Sequence, residues 1–234
     1  MESLPEKAEK AEKAKKAEEV VDAACRLARS LRDPALLISL HRDLWKMSNM
    51  KIEQPKSKIS ALRWGIFTMV YAATEGFFNE ILNESSTRII ALNPDKLRSA
   101  GEKWSVRLFT REWGVRTRVK GNPSGGGNRS RWTVFEGEEL RKYLRDMKQL
   151  RDLLVHGGDP YTVANVSGAL WVQDKGNSMN LMGVEGFFQA CTDLAGQTIL
   201  AFGASHDQLP EWPQPTRTTI SAEKLPALKL LSDD

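Results

Sequence analysis

The sequence predicts a mainly α-helical protein, an antiparallel helical bundle carrying a small β-hairpin insert, a charged N-terminal helical arm and an extended C-terminal tail. Three observations carry that prediction. Apolar residues recur at spacings of three or four through several long segments, one apolar-rich region is split by a turn sequence, and residues 205–234 hold prolines without any period.

The arm comes first. Residues 6–14 read Glu-Lys-Ala three times over, strong helix formers with no apolar stripe to bury. A stripe begins only at Val20, Val21, Ala24, Cys25, Leu27, Ala28 and Leu31. It is expected to stop before Asp33-Pro34, because a residue that precedes proline avoids the α region; residues 1–33 therefore form the arm. A second helix is predicted from Pro34 to about Met47, opening the main domain at 34–204. Ile59, Leu62, Ile66, Met69, Ala73, Phe77 and Ile81 then mark a helix of about seven turns, expected to be the central one.

Residues 86–120 are mixed, since Trp104, Val106, Leu108, Trp113 and Val115 alternate partly like strands. Residues 121–128, Gly-Asn-Pro-Ser-Gly-Gly-Gly-Asn, read as a loop and not as a nucleotide cradle, for they lack both the Gly-Lys-Ser/Thr of a P-loop and G-x-G-x-x-G. Leu140, Tyr143, Leu144, Met147, Leu150 and Leu154 stripe another helix, with Glu136, Glu138 and Glu139 at its positive end and Gly157-Gly158 at its stop. A hairpin is predicted within 161–182, turning at Asp174-Lys175-Gly176-Asn177. Phe187, Cys191, Leu194, Thr198 and Phe202 stripe a last helix, and the proline-bearing tail follows from 205.

Composition bounds the function. With 41% apolar and 27% charged residues the chain is neither disordered, collagenous nor disulfide-stapled. Cys25 and Cys191 lie far apart and suit a reducing compartment. The longest apolar run, Trp64 to Ala73, is too short to span a bilayer and no signal-like segment opens the chain, so a cytoplasmic location without membrane contact is expected. No His/Cys cluster or carboxylate set has ligand spacing, which predicts neither metal nor cofactor.

Histidine is scarce: His41, His156 and His206 are the full set. His156 closes a predicted helix, where the negative end of the dipole favours imidazolium, and two glycines follow it. Arg151 falls inside the apolar stripe of the same helix, and a buried arginine needs a partner such as Glu75. Five residues of regular helix turn Arg151 and His156 about 140° apart and about 7.5 Å along the axis. They converge only if the helix unwinds or if two copies each supply half of a shared cleft. A purely structural alternative makes Arg151 an interhelical salt bridge and His156 a C-cap.

Arg151-Asp152-Leu153-Leu154-Val155-His156, with the glycine after it, resembles the R-x4-6-H motif of the HEPN superfamily. Tyr71-Ala72-Ala73-Thr74-Glu75-Gly76-Phe77-Phe78-Asn79-Glu80-Ile81-Leu82 resembles the first core helix of its RiboL-PSP-like branch. The resemblance covers roughly residues 57–204. It implies a HEPN-like bundle and a metal-independent endoribonuclease, working as a homodimer, that cuts RNA by 2′-hydroxyl attack to leave 2′,3′-cyclic phosphate and 5′-hydroxyl ends. It also implies a toxin or abortive-infection (anti-phage) effector, with an antitoxin or sensor chain as a partner. Imidazole suits proton transfer at the 2′-hydroxyl and leaving oxygen, and guanidinium suits charge growing on the phosphorane. Asp152 stands where many relatives carry asparagine and is an accessory candidate able to orient His156. Arg145 and Lys148 offset its charge. Gly158 replaces the tyrosine of relatives that a nucleotidyltransferase partner modifies, which argues against that regulation here. The same resemblance admits a non-catalytic module that binds RNA or a nucleotide and regulates a partner.

RNA would lie on residues 98–131, expected as a basic, glycine-rich loop. Nine cations stand there, Arg98, Lys103, Arg107, Arg111, Arg116, Arg118, Lys120, Arg129 and Arg131, against Glu102 and Glu112. Trp104, Trp113 and Trp132 are interleaved or adjacent, as where phosphates are neutralised and bases stack. A solvated loop, with the tryptophans in the core, is the alternative.

Overall fold

The computed structural model describes residues 4–47, 55–82, 92–121, 130–215 and 225–228, and among them the chain is mainly helical. Helix α1 runs over Leu4–Ser30, α2 over Arg32–Met47 and α3 over Pro55–Leu82. The break between α1 and α2 falls at Leu31, earlier than proline sterics suggested. Leu31 donates its N–H to Leu27 (2.9 Å) and accepts from Ala35 (3.1 Å), so Pro34 sits in the first turn of α2, where helical N–H groups have no partner to lose. The arm is also less of an appendage than expected. Residues 10–15 are exposed, but Val20, Ala23, Ala24, Leu27 and Leu31 are buried and α1 packs on α3 and α6.

Helix α4 (Pro94–Glu102) is capped by the Asn93 side chain, which accepts from the N–H groups of Asp95 and Lys96. Strands β1 (Gly114–Lys120) and β2 (Ser130–Glu136) pair antiparallel, with Gly114 opposite Glu136 and Lys120 opposite Ser130. The segment 98–131 is therefore not a loop. It is the end of α4, a connection at 103–113, all of β1 and the start of β2, while most of the glycine-rich stretch and Arg129 lie outside the described residues. Helix α5 (Gly137–Val155) follows without a gap, and β3 (Trp171–Gln173) and β4 (Gly176–Ser178) form the short hairpin expected at 174–177.

Helix α6 (Leu181–Ala201), and not α3, is the most enclosed element: every residue from Gly183 to Ile199 is buried. A helix apolar over most of its circumference must be covered on all sides, and α1, α2, α3 and β1 cover this one. Helix α3 keeps one face in solvent, with Ala61, Gly65, Met69, Ala72 and Gly76 exposed along it. Phe67, Tyr71, Tyr143 and Phe187 join α3, α5 and α6 in one aromatic cluster. Strand β1 approaches α6 so closely that a Cβ on Gly186 would stand 2.3 Å from the Arg118 nitrogen, a position only glycine can fill. The described part of the tail opens with a 3₁₀ turn at His206–Gln208 and continues without regular structure, and Leu209 and Trp212 pack on the core. Among the described residues no helix is long and apolar enough to cross a membrane.

Candidate functional site

Helix α5 carries the motif. Leu140, Tyr143, Leu144, Met147 and Leu150 are buried in its apolar face, which leaves the edges of that stripe to present charge. Arg151 lies at one edge, 19% exposed, its guanidinium 4.8 Å from the centre of the Tyr71 ring. Its Nη2 donates to Glu75 Oε1 at 2.7 Å and its Nη1 lies 3.0 Å from Asp152 Oδ1. The other Asp152 oxygen accepts from Lys148 at 2.5 Å. Two cations and two carboxylates thus form one cluster between α3 and α5. Burial pushes the Glu75 carboxyl above its usual range, against the pull of Arg151, and burial likewise pushes the Tyr71 hydroxyl up.

The helix ends as the glycines foretold, and the geometry is specific. His156 is the C-cap, its N–H bonded to the Asp152 carbonyl at 3.0 Å. Gly157 adopts φ +72°, and the N–H of Gly158 closes back on the Leu153 carbonyl at 2.8 Å. This is a Schellman ending. A side chain at 158 would collide with Leu153, whose Cδ2 lies 2.8 Å from the Cβ position. The helix therefore stays regular up to His156, and within one chain nothing folds the imidazole toward Arg151. Asp152 is occupied by Lys148 and Arg151, so the structure does not join it to the imidazole. His156 is exposed, and its ring makes no hydrogen bond or ion pair among the described residues.

The remaining sequence candidates divide sharply. Arg116 donates through Nε (3.1 Å) and Nη2 (2.6 Å) to Asp193 on α6, which also receives the Arg116 backbone N–H at 2.7 Å. Arg118 is buried, bonded to Glu185 at 3.0 Å, and lies over the Trp132 ring at 5.2 Å. Both arginines are thus engaged by carboxylates of α6, Arg118 buried and Arg116 about one-quarter exposed, where the sequence suggested an open basic loop. Trp113 is fully buried against Phe109, and Trp104 holds the Lys16 ammonium over its ring at 3.9 Å. Lys120, Arg131 and Arg145 are exposed, Arg145 facing Asp95 (3.5 Å) and Glu138 (3.7 Å).

The sequence reading missed the partners. Glu185, Gln189, Asp193 and Gln197 stand four residues apart on α6, one polar row in an otherwise apolar helix. Gln197 holds both backbone groups of Gly114 (3.3 and 2.7 Å), Gln189 donates to Asp193 (2.9 Å), and Glu185 takes Arg118 from β1 and Arg42 from α2. A strict i, i+4 polar repeat inside an apolar run was the available signal. Among the described residues no three His, Cys, Asp or Glu side chains are grouped so as to hold a metal. No family model, curated protein or solved structure matches the chain.

Proposed function

We propose that this chain is a HEPN-like, metal-independent endoribonuclease that acts as a homodimer, with His156 moving protons and Arg151 stabilising the phosphorane. The observation that carries the reading is the His156 ring. A C-cap role uses the His156 backbone alone, and the imidazole is left in solvent, unpartnered, on a helix end fixed by the Schellman bond. A general acid–base needs that freedom together with a rigid mount. In the proposed reaction the imidazole takes the 2′-hydroxyl proton, the 2′-oxygen attacks phosphorus, and the 5′-oxygen leaves with a proton returned from imidazolium. The products are a 2′,3′-cyclic phosphate and a 5′-hydroxyl.

The second copy supplies what one chain withholds. Ala61, Gly65, Met69, Ala72 and Gly76 make a flat exposed face on α3, and nothing lies within 4 Å of a Cβ built on Gly65 or Gly76. Glu75 is one residue step, about 100°, from that face. Pairing of two such faces would set the Arg151 cluster of one chain near that of the other. The proposed biological setting is a toxin or abortive-infection effector, silenced or triggered by a partner chain. A second reading, a non-catalytic RNA- or nucleotide-binding regulator, is favoured by one observation: Glu75 and Asp152 already balance Arg151 and Lys148.

The test incubates native protein and His156→Ala with total RNA in EDTA and maps the fragment ends. Cleavage by the native form alone, with cyclic phosphate ends and a 10²–10⁴-fold loss in the variant, is the expected result. RNA that is bound and left intact by both folded proteins would select the regulator. Light scattering at micromolar concentration is expected to give twice 26.3 kDa, and Met69→Lys with Ala72→Glu to give a folded, inactive monomer.

A further inference from the structure

The opposite end of α5 holds a separate cleft of about 660 Å³. Arg98 on α4, Arg107 and Arg111 in the 103–113 connection, and Arg141 on α5 line it, against Glu102 and Glu138. Arg141 is held by Asp95 at 2.7 Å and Arg98 stands 4.0 Å from Glu102. Arg107 and Arg111 are exposed and have no carboxylate within salt-bridge distance among the described residues. Two guanidinium groups are thus aimed at solvent from a cleft that already carries net positive charge.

The cleft is built, and not merely a gap between charged side chains. Phe109 holds φ +56°, a conformation a bulky residue adopts only under constraint, and its buried ring is fixed against Trp113 at 5.1 Å. That anchor sets the backbone of Thr110 and Arg111. Thr110 lines a wall of the cleft, its hydroxyl oxygen buried without a hydrogen-bond partner among the described residues. Gly137 and Glu138 open α5 on the same wall, and the Glu136 side chain makes no capping bond there. The Gly137 N–H is taken by the Trp113 carbonyl at 3.3 Å, and the positive end of the helix dipole behind it adds to the arginines.

We infer that this cleft binds a phosphate chain, the di- or triphosphate of a nucleotide or of an RNA 5′ end. Guanidinium forks match phosphate oxygens in geometry as well as charge, and the volume lies within the range of small-ligand sites. No exposed aromatic side chain lines the cleft to stack a base, since Phe109 is 3% exposed. Recognition consequently reads phosphates and is indifferent to the base. The site stands about 27 Å along α5 from His156, so it holds whether or not His156 cuts RNA.

Calorimetric titration of the full chain with sodium tripolyphosphate, ATP and CTP at low salt tests the inference. Arg107→Ala with Arg111→Ala is the site variant, and Arg29→Ala with Lys175→Ala removes the same charge from exposed positions elsewhere. Saturable binding by native and control proteins, equal for ATP and CTP, with at least tenfold loss in the site variant, is the expected result. Equal binding by all three proteins, or no binding by the native chain to any probe, would overturn it. Oligonucleotides with 5′-triphosphate or 5′-hydroxyl ends separate the sources. A tenfold preference for the triphosphate end that tripolyphosphate abolishes assigns RNA ends as the ligand, and no preference assigns free nucleotides. Thermal melts establish that both variants are folded.

Discussion

Arg116 and Arg118 on β1 stand only a few residues beyond Arg107 and Arg111 in the same basic run, yet the two pairs lead opposite lives. The β1 pair is turned inward onto Asp193 and Glu185, while the pair in the connection faces solvent with no carboxylate within salt-bridge distance among the described residues. Both pairs belong to one cation-rich stretch of sequence. What separates them is α6, which brings carboxylates 77 and 67 residues away in sequence to one strand. A cluster of cations in a sequence therefore marks a ligand surface only after its intramolecular partners have been subtracted.

The strongest way to break this contrast is at Glu185. It is 3% exposed and holds both Arg42 and Arg118. Glu185→Ala removes the carboxylate that holds two buried guanidinium groups, and removing one member of a buried ion pair costs about 3–5 kcal/mol. Urea unfolding should show a loss of that order. Arg107→Ala with Arg111→Ala should stay within about 0.5 kcal/mol of the native chain, as exposed substitutions do. Equal losses would mean that the connection arginines are structural too.

Asp193→Ala sharpens the comparison at the next level. Asp193 is buried but Arg116 is one-quarter exposed, so water partly replaces the lost carboxylate. The expected cost is about 2 kcal/mol, since the backbone N–H of Arg116 loses its carboxylate acceptor. Hydrogen exchange should localise the damage to β1 and β2.

The same physics explains what was legible in the sequence. Helices α3, α5 and α6 were readable because each must bury a stripe, and a stripe is a local pattern with a period of 3.6. The Gly157-Gly158 stop was readable because a left-handed C′ residue has few chemical solutions. Strands β1 and β2 were only partly readable: Val115, Thr117 and Val119 alternate with Arg116, Arg118 and Lys120 as a half-buried strand does, but the inward direction of Arg116 and Arg118 is decided by residues of α6. The Arg151 neighbourhood lay between these cases. Its place on the apolar stripe pointed to a partner on α3, but the sharing of Asp152 between Lys148 and Arg151, which takes it away from His156, is a matter of side-chain geometry that spacing does not encode.

His41 completes the comparison as a buried base with no carboxylate paired to it among the described residues. It is 4% exposed beside Arg42, and neither ring nitrogen makes a well-formed hydrogen bond among those residues. Burial first, then the charges of Arg63 and Arg42, push its pKa below the ordinary value. Where an arginine in this position recruits Glu185, a histidine can give up its proton. The folded state thus disfavours imidazolium, so the stability His41 contributes is present above the ordinary histidine pKa of about 6.5 and is lost as pH falls through that value toward the folded one. The unfolding constant should rise by at most about tenfold per pH unit over that interval, the limit for one proton. His41→Gln, which cannot titrate, should flatten the slope between pH 7 and pH 5 while leaving the carboxylate-driven acid transition at lower pH in place. An unchanged slope in that variant would mean that His41 keeps its proton in the folded state, and that a buried cation can persist here without the counter-charge that Arg42 and Arg118 require.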